Sequence, residues 1–213
     1  MITRQEVYLE KFNPAPSLPH NLRIADFQLA MQDVYDFFFD VNTHLRDKKL
    51  VRLEDMLRAA NLSGTISDMM TEALAKHSRS LTPNKFHNGH PDLLVKGEYP
   101  NDTVKSGALG VEIKSTTKRG GAVDTHGGRT QWMCVFVYEI DKKSEPIDAR
   151  ANLIFREVYL AEVDPDDFRN NARGELGTKT STLDADGVTK LRHSWIYFDQ
   201  PNPIRTRARK SSE

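Results

Sequence analysis

The sequence predicts a mixed α/β fold, with a central mixed sheet of about five strands flanked by helices, in one domain over residues 1–213. Three observations predict it. Over residues 1–80, apolar residues recur every three or four positions, the repeat of helices that bury one face. Over residues 85–200, short apolar and β-branched or aromatic runs alternate with stretches rich in Gly, Pro, Asn and Asp, as strands do with their turns. Residues 203–213 form a basic tail with Arg205, Arg207, Arg209 and Lys210 and nothing apolar enough to anchor them.

Taken in order, residues 1–20 hold Pro14, Pro16 and Pro19 and read as an extended arm packed on the body or on a second subunit. Phe27, Ala30, Val34, Phe37, Phe38, Val41 and Leu45 mark a long helix from Asp26, its N-cap, to about Arg46. Of Phe37, Phe38 and Phe39, two rings are expected in the core. Leu53–Ala60 reads as a short helix, Asn61–Gly64 as a turn, and Thr65 to about Arg79 as a second helix. That helix, glycine turn and helix also match the outline of a helix-turn-helix DNA reader.

Ser80–Gly89 is a polar approach. Pro91–Val95 and Ala108–Lys114 are apolar runs joined by the loop Lys96–Gly107, which makes them antiparallel neighbours. Ser115–Thr130 is a glycine-bearing basic loop. Gln131–Ile140 is a central strand buried on both faces, and Asn152–Val163 is another long strand. Asp164–Asn170 opens as a short helix with Pro165 in its first turn. Arg173–Val188 is loop-like, with a glycine break at Gly174 and a hairpin turn at Asp184–Gly187; His193–Asp199 is a last strand.

Composition narrows the function. The 30 basic and 30 acidic residues balance, so net charge favours no nucleic-acid partner and any such contact needs a local cluster. Cys134 is the single cysteine and lies in an apolar run, which makes it a buried inert thiol. The start lacks the apolar stretch of a signal peptide and no run reaches membrane-span length, so a cytoplasmic protein is expected, with no membrane partner. His87 and His90 have no further Cys or His at zinc spacing and are expected at the site mouth or exposed.

The acids of the two paired runs carry the chemistry. Alternation along the second run sends Val111 and Ile113 into a core and leaves Glu112 and Lys114 side by side on the other face. If the strands pair, Asp92 sits across from Glu112. Two carboxylates so close repel unless a cation lies between them or one is protonated. Magnesium suits such a site, because it takes one or two carboxylates and fills its shell with water and phosphate oxygens. The alternative for the same residues is a half-exposed, salt-bridged strand pair.

Pro91-Asp92 followed by Glu112-Ile113-Lys114 resembles the motif of the PD-(D/E)xK nuclease superfamily, which includes the type II restriction endonucleases. The resemblance covers roughly residues 65–140 and implies a restriction-endonuclease-like sheet and a magnesium-dependent endodeoxyribonuclease. It implies that Asp92 and Glu112 bind magnesium, with the Ile113 carbonyl as a further ligand, and that Lys114 orients or deprotonates the attacking water. It also implies an additional acid from the preceding helix, with Glu72 the candidate and Asp68 behind it. With the site so assigned, Lys118, Arg119, His126 and Arg129 of the basic loop are the expected contacts to double-stranded DNA. A homodimer is expected for cutting both strands of a palindrome. A repair or recombination nuclease and a non-catalytic helix-turn-helix protein are the alternatives; only the nucleases should depend on metal.

Overall fold

The computed structural model describes residues 3–125, 127–171 and 180–199. The fold is mixed α/β. Its six-stranded sheet contains β1 (Leu81–Pro83), β2 (Leu93–Val95), β3 (Gly110–Thr116), β5 (Gln131–Glu139), β6 (Ile154–Val163) and β9 (Trp195–Phe198). Their spatial order is β1-β2-β3-β5-β6-β9. All neighbours are antiparallel except β3 and β5, which run parallel with Glu112 level with Met133. A three-stranded sheet holds β4 (Asp124–Thr125), β7 (Phe168–Asn170) and β8 (Ser181–Leu183).

The apolar run of β5 explains its central place. Cys134, Phe136 and Tyr138 enter one core while Met133, Val135 and Val137 enter the other. A strand apolar on both faces must be covered on both. The first core is completed by α1 (Ile24–Asp47) and α3 (Ala59–His77), through Phe27, Met31, Phe38, Leu62, Ile66 and Met70. The second takes Leu191 of α4 (Ala185–His193) and Leu183 of the small sheet. The amino-terminal arm packs on the body: Val7 and Phe12 are buried, and Phe12 bridges to Tyr197. No helix of the described residues is long and apolar enough to cross a membrane.

Several expectations need correction. The helix-turn-helix is absent among the described residues. After α2 (Leu53–Met56), α3 runs without interruption through Asn61–Gly64. Leu62 lies one turn before Ile66 and is buried beside it, so the core contact overrides the turn-forming side chains. Of the apolar face expected of the first helix, Leu53, Met56, Leu57 and Ala60, only Leu53 and Leu57 pack against the core. Met56 is exposed, while Arg52 and Glu54 are buried. Glu54 accepts from Asn42 Nδ2 at 2.7 Å and from Leu153 N–H at 3.0 Å.

The long helix begins earlier than expected, with Arg23 as N-cap. Asp26 is its third residue and accepts from the Arg23 backbone at 2.9 Å. One ring of the phenylalanine triplet is in the core, Phe38; Phe37 is exposed. Within the polar approach, Leu81–Pro83 forms β1 and buries Leu81. Asp184–Gly187 is a helix start: Asp184 caps α4 by accepting from Asp186 and Gly187 N–H at 2.9 Å each. His193 closes α4 and the last strand starts at Trp195. Gly174, His126 and the basic tail lie outside the described residues.

Candidate active site

Glycine at 110 allows β2 and β3 to approach closely. A Cβ there would lie 2.0 Å from the Leu93 carbonyl oxygen and 2.7 Å from Pro91 Cγ. The strands pair with Leu93 opposite Val111. One residue outward, that register sets Asp92 level with Glu112. Asp92 Oδ2 accepts the Ile113 N–H at 2.8 Å, which fixes the aspartate against β3. From the other side, Asn84 holds the same segment. Its Nδ2 donates to the Pro91 carbonyl at 3.0 Å, and its backbone N–H donates to the Asp92 carbonyl at 2.8 Å.

Glu112 is buried between Lys114 and His90. Lys114 Nζ bonds its Oε1. His90 Nδ1 stands 2.7 Å from its Oε2. That approach is within ion-pair range. His90 is therefore a member of the site rather than an exposed residue. Its backbone is fixed by the loop before β3: His90 N–H donates to Lys105, and Gly107 N–H donates to His90.

The charges respond to this crowding. Burial first, and the Glu112 charge second, push the Asp92 carboxyl up to about 6, against the pull of Lys114 and the Ile113 N–H. Burial also acts to raise Glu112, but His90 and Lys114 together outweigh it and bring the group well below the usual carboxylate range. Burial disfavours the Lys114 ammonium; Glu112, Asp92 and Asp68 outweigh that and raise it. A lysine so surrounded stays charged at neutral pH. It is equipped to orient and to stabilise negative charge, and poorly equipped to accept a proton.

Asp92 and Glu112 share this spot, and the ionisation of the first is opposed by burial and by the charge of the second. A divalent cation between them would relieve both. Among the described residues no group of three or more His, Cys, Asp or Glu side chains is arranged to hold a metal. The pair would therefore act with the Ile113 carbonyl, water and phosphate oxygens, a donor set that suits magnesium.

The remaining expected site residues divide. Asp68 on α3 lies within electrostatic range of Lys114. Glu72, one turn later, is exposed and lines a groove between α1 and α3. Lys118 is exposed just past the end of β3. Arg119 pairs with Glu139 at 3.4 Å, at the far end of β5. Six residues separate Glu139 from Met133, the partner of Glu112, so Arg119 contacts β5 about 20 Å along the strand from the carboxylates. Arg129 precedes β5 at the carboxylate end and is half-buried. The loop itself is tied down: Gly120, at φ +85°, donates its N–H to buried Glu157 at 2.7 Å.

No family model matches the chain, and no curated protein or solved structure matches it.

Proposed function

We propose that this chain is a magnesium-dependent endodeoxyribonuclease of the PD-(D/E)xK kind, most specifically a type II restriction endonuclease acting in the cytoplasm on double-stranded DNA as a homodimer. The observation that carries the reading is the convergence of Asp92, Glu112 and Lys114, from two strands, on one half-buried spot with charges in mutual tension. A salt-bridged strand pair needs Glu112 and Lys114 alone. It gives no reason to bury a second carboxylate beside them at the cost of its ionisation.

In this reading Asp92, Glu112 and the Ile113 carbonyl hold magnesium. When bound, the ion polarises the scissile phosphate and favours hydroxide at neutral pH. Asp92 gives up its proton as the site fills. Lys114, charged and fixed by Glu112, orients the attacking water and offsets the negative charge that grows on the phosphoryl oxygens during in-line displacement. The phosphorus–oxygen bond to the leaving strand breaks as the water oxygen bonds to phosphorus, and the leaving oxygen takes up a proton. Asp68 supports Lys114 from α3. Arg129 is the base-reading candidate at the carboxylate end, and Lys118 and Arg119 contact phosphates toward the far end.

The experiment is incubation of the purified protein with supercoiled plasmid, with magnesium or with chelator, followed by mapping of the ends. Discrete fragments that require magnesium are expected. Nicked circles or a smear would assign the chain to repair or recombination. Intact plasmid across substrates and metals would overturn the nuclease reading.

A further inference from the structure

A second feature shares Asp68 with the surroundings of the carboxylate site. Helices α1 and α3 leave between them an open groove of about 720 Å³. Its floor is apolar, with exposed Phe37, half-buried Met69 and buried Ala73. Its rim is acidic. Asp36 and Asp40 stand one turn apart on α1, and Asp68 and Glu72 stand one turn apart on α3. Asp33 closes one end, bound to Lys76 at 2.8 Å. Arg4 reaches Asp36 at 2.8 Å and Asp40 at 3.4 Å, and the carboxylates still outnumber the cations.

We propose that this groove docks a basic amphipathic helix of a partner protein. Charge identifies the occupant's chemistry, since five carboxylates around an apolar floor disfavour phosphate and favour a cationic partner surface. Repeat identifies its conformation. Acids one helical turn apart on both walls match cations spaced three or four residues apart on either side of an apolar stripe. From Asp68 to Lys76 the wall spans about 12 Å at 1.5 Å per residue, room for about two turns of helix. A second copy pairing through the same face would set acids against acids. The chain's own Arg205, Arg207 and Arg209 recur every second residue, a spacing that does not match the walls.

The test uses a designed, fluorescein-labelled peptide of about 14 residues, with leucines at helical spacing flanked by lysines, and its twin with glutamates for the lysines. Fluorescence anisotropy against the full chain should show micromolar binding of the basic peptide, weakened by salt, and none of the acidic one. Asp40→Lys with Glu72→Lys should weaken the basic peptide about tenfold or more and let the acidic twin bind. Phe37→Ser should weaken both pairings. Equal binding of the two peptides, unchanged affinity in the charge-reversed variant, or no binding would overturn the proposal. Sedimentation that finds a dimer disrupted by Phe37→Ser would overturn it too, and assign the groove to a second copy.

Discussion

At the scale of single residues, the Asp92 carboxyl controls how the site responds to pH. Its folded value, about 6, lies above the roughly 4 of an unfolded chain, so between these values the folded state binds the extra proton. Stability therefore falls as pH rises through that window, and Asp92→Asn should melt higher than the parent at pH 7.5 and show a flatter profile from pH 4 to 6. Glu112 has the opposite sign. Its lowered value contributes stability above the ordinary glutamate range that is lost as the solution is acidified below it. Metal binding must expel the Asp92 proton. Magnesium affinity, by calorimetry, should then drop by about tenfold per pH unit below about 6 and level off above it. Affinity independent of pH from 5 to 7.5 would remove Asp92 from the metal shell. Lys114→Ala should retain magnesium binding and slow cleavage by about two to three orders of magnitude, in the range seen for loss of one electrostatic stabiliser. Lys114→Arg should not restore the rate, because the planar guanidinium cannot occupy the ammonium's place against Glu112.

At the scale of elements, the site rests on the close approach of β2 to β3. Gly110→Ala drives a methyl group onto the Leu93 carbonyl, where backbone must move. We expect a loss of about 1–3 kcal/mol in denaturant unfolding, together with weaker metal binding as Asp92 is carried away from Glu112. Unchanged stability would mean that the strands can separate without cost. These elements were also the most legible in the sequence. The register could be foreseen because alternation in Val111-Glu112-Ile113-Lys114 leaves only one face for the acid. Buried β5 announced itself by its apolar run. The parts that escaped notice depend on partners far apart in the chain. His90 was expected at the site mouth or exposed, and its contact with Glu112 could not be foreseen because it depends on the loop through Lys105 and Gly107 returning to it. Asn84 looked like a loop residue, yet its bonds to Pro91 and Val104 hold the Asp92 segment. Glu54 and Arg52 carry no local mark of burial in the sequence. Asn42, Leu153 and the Ala151 carbonyl, about 100 residues distant in two cases, make them part of the interior. The reverse error occurred at Asn61–Gly64, where turn-forming residues sit inside α3 because Leu62 has a core to fill.

At the scale of the whole molecule, the proposed function requires a chain with no net charge to hold DNA through local clusters, and the candidate cations are spread along the parallel pair of β3 and β5. Arg129 lies at the carboxylate end, and the Arg119 contact to β5 lies about 20 Å along the strand from the carboxylates, close to six base pairs of duplex rise. Binding measured in calcium across a salt series should separate their roles. Lys118→Ala should lower the slope of log K against log salt by about one on any duplex. Arg129→Ala should cost about 1–3 kcal/mol on the cognate site and little on others. Unchanged slope and specificity in both would move the DNA surface away from this loop. The central claim is that Glu112 serves catalysis and not a strand salt bridge. Its most direct test is the single-turnover rate of plasmid cleavage by Glu112→Gln in saturating magnesium, on protein shown by its melting curve to be folded. The account predicts a rate reduced by about three orders of magnitude or more, with DNA binding retained; a folded Glu112→Gln that cuts within about twofold of the parent rate would contradict it.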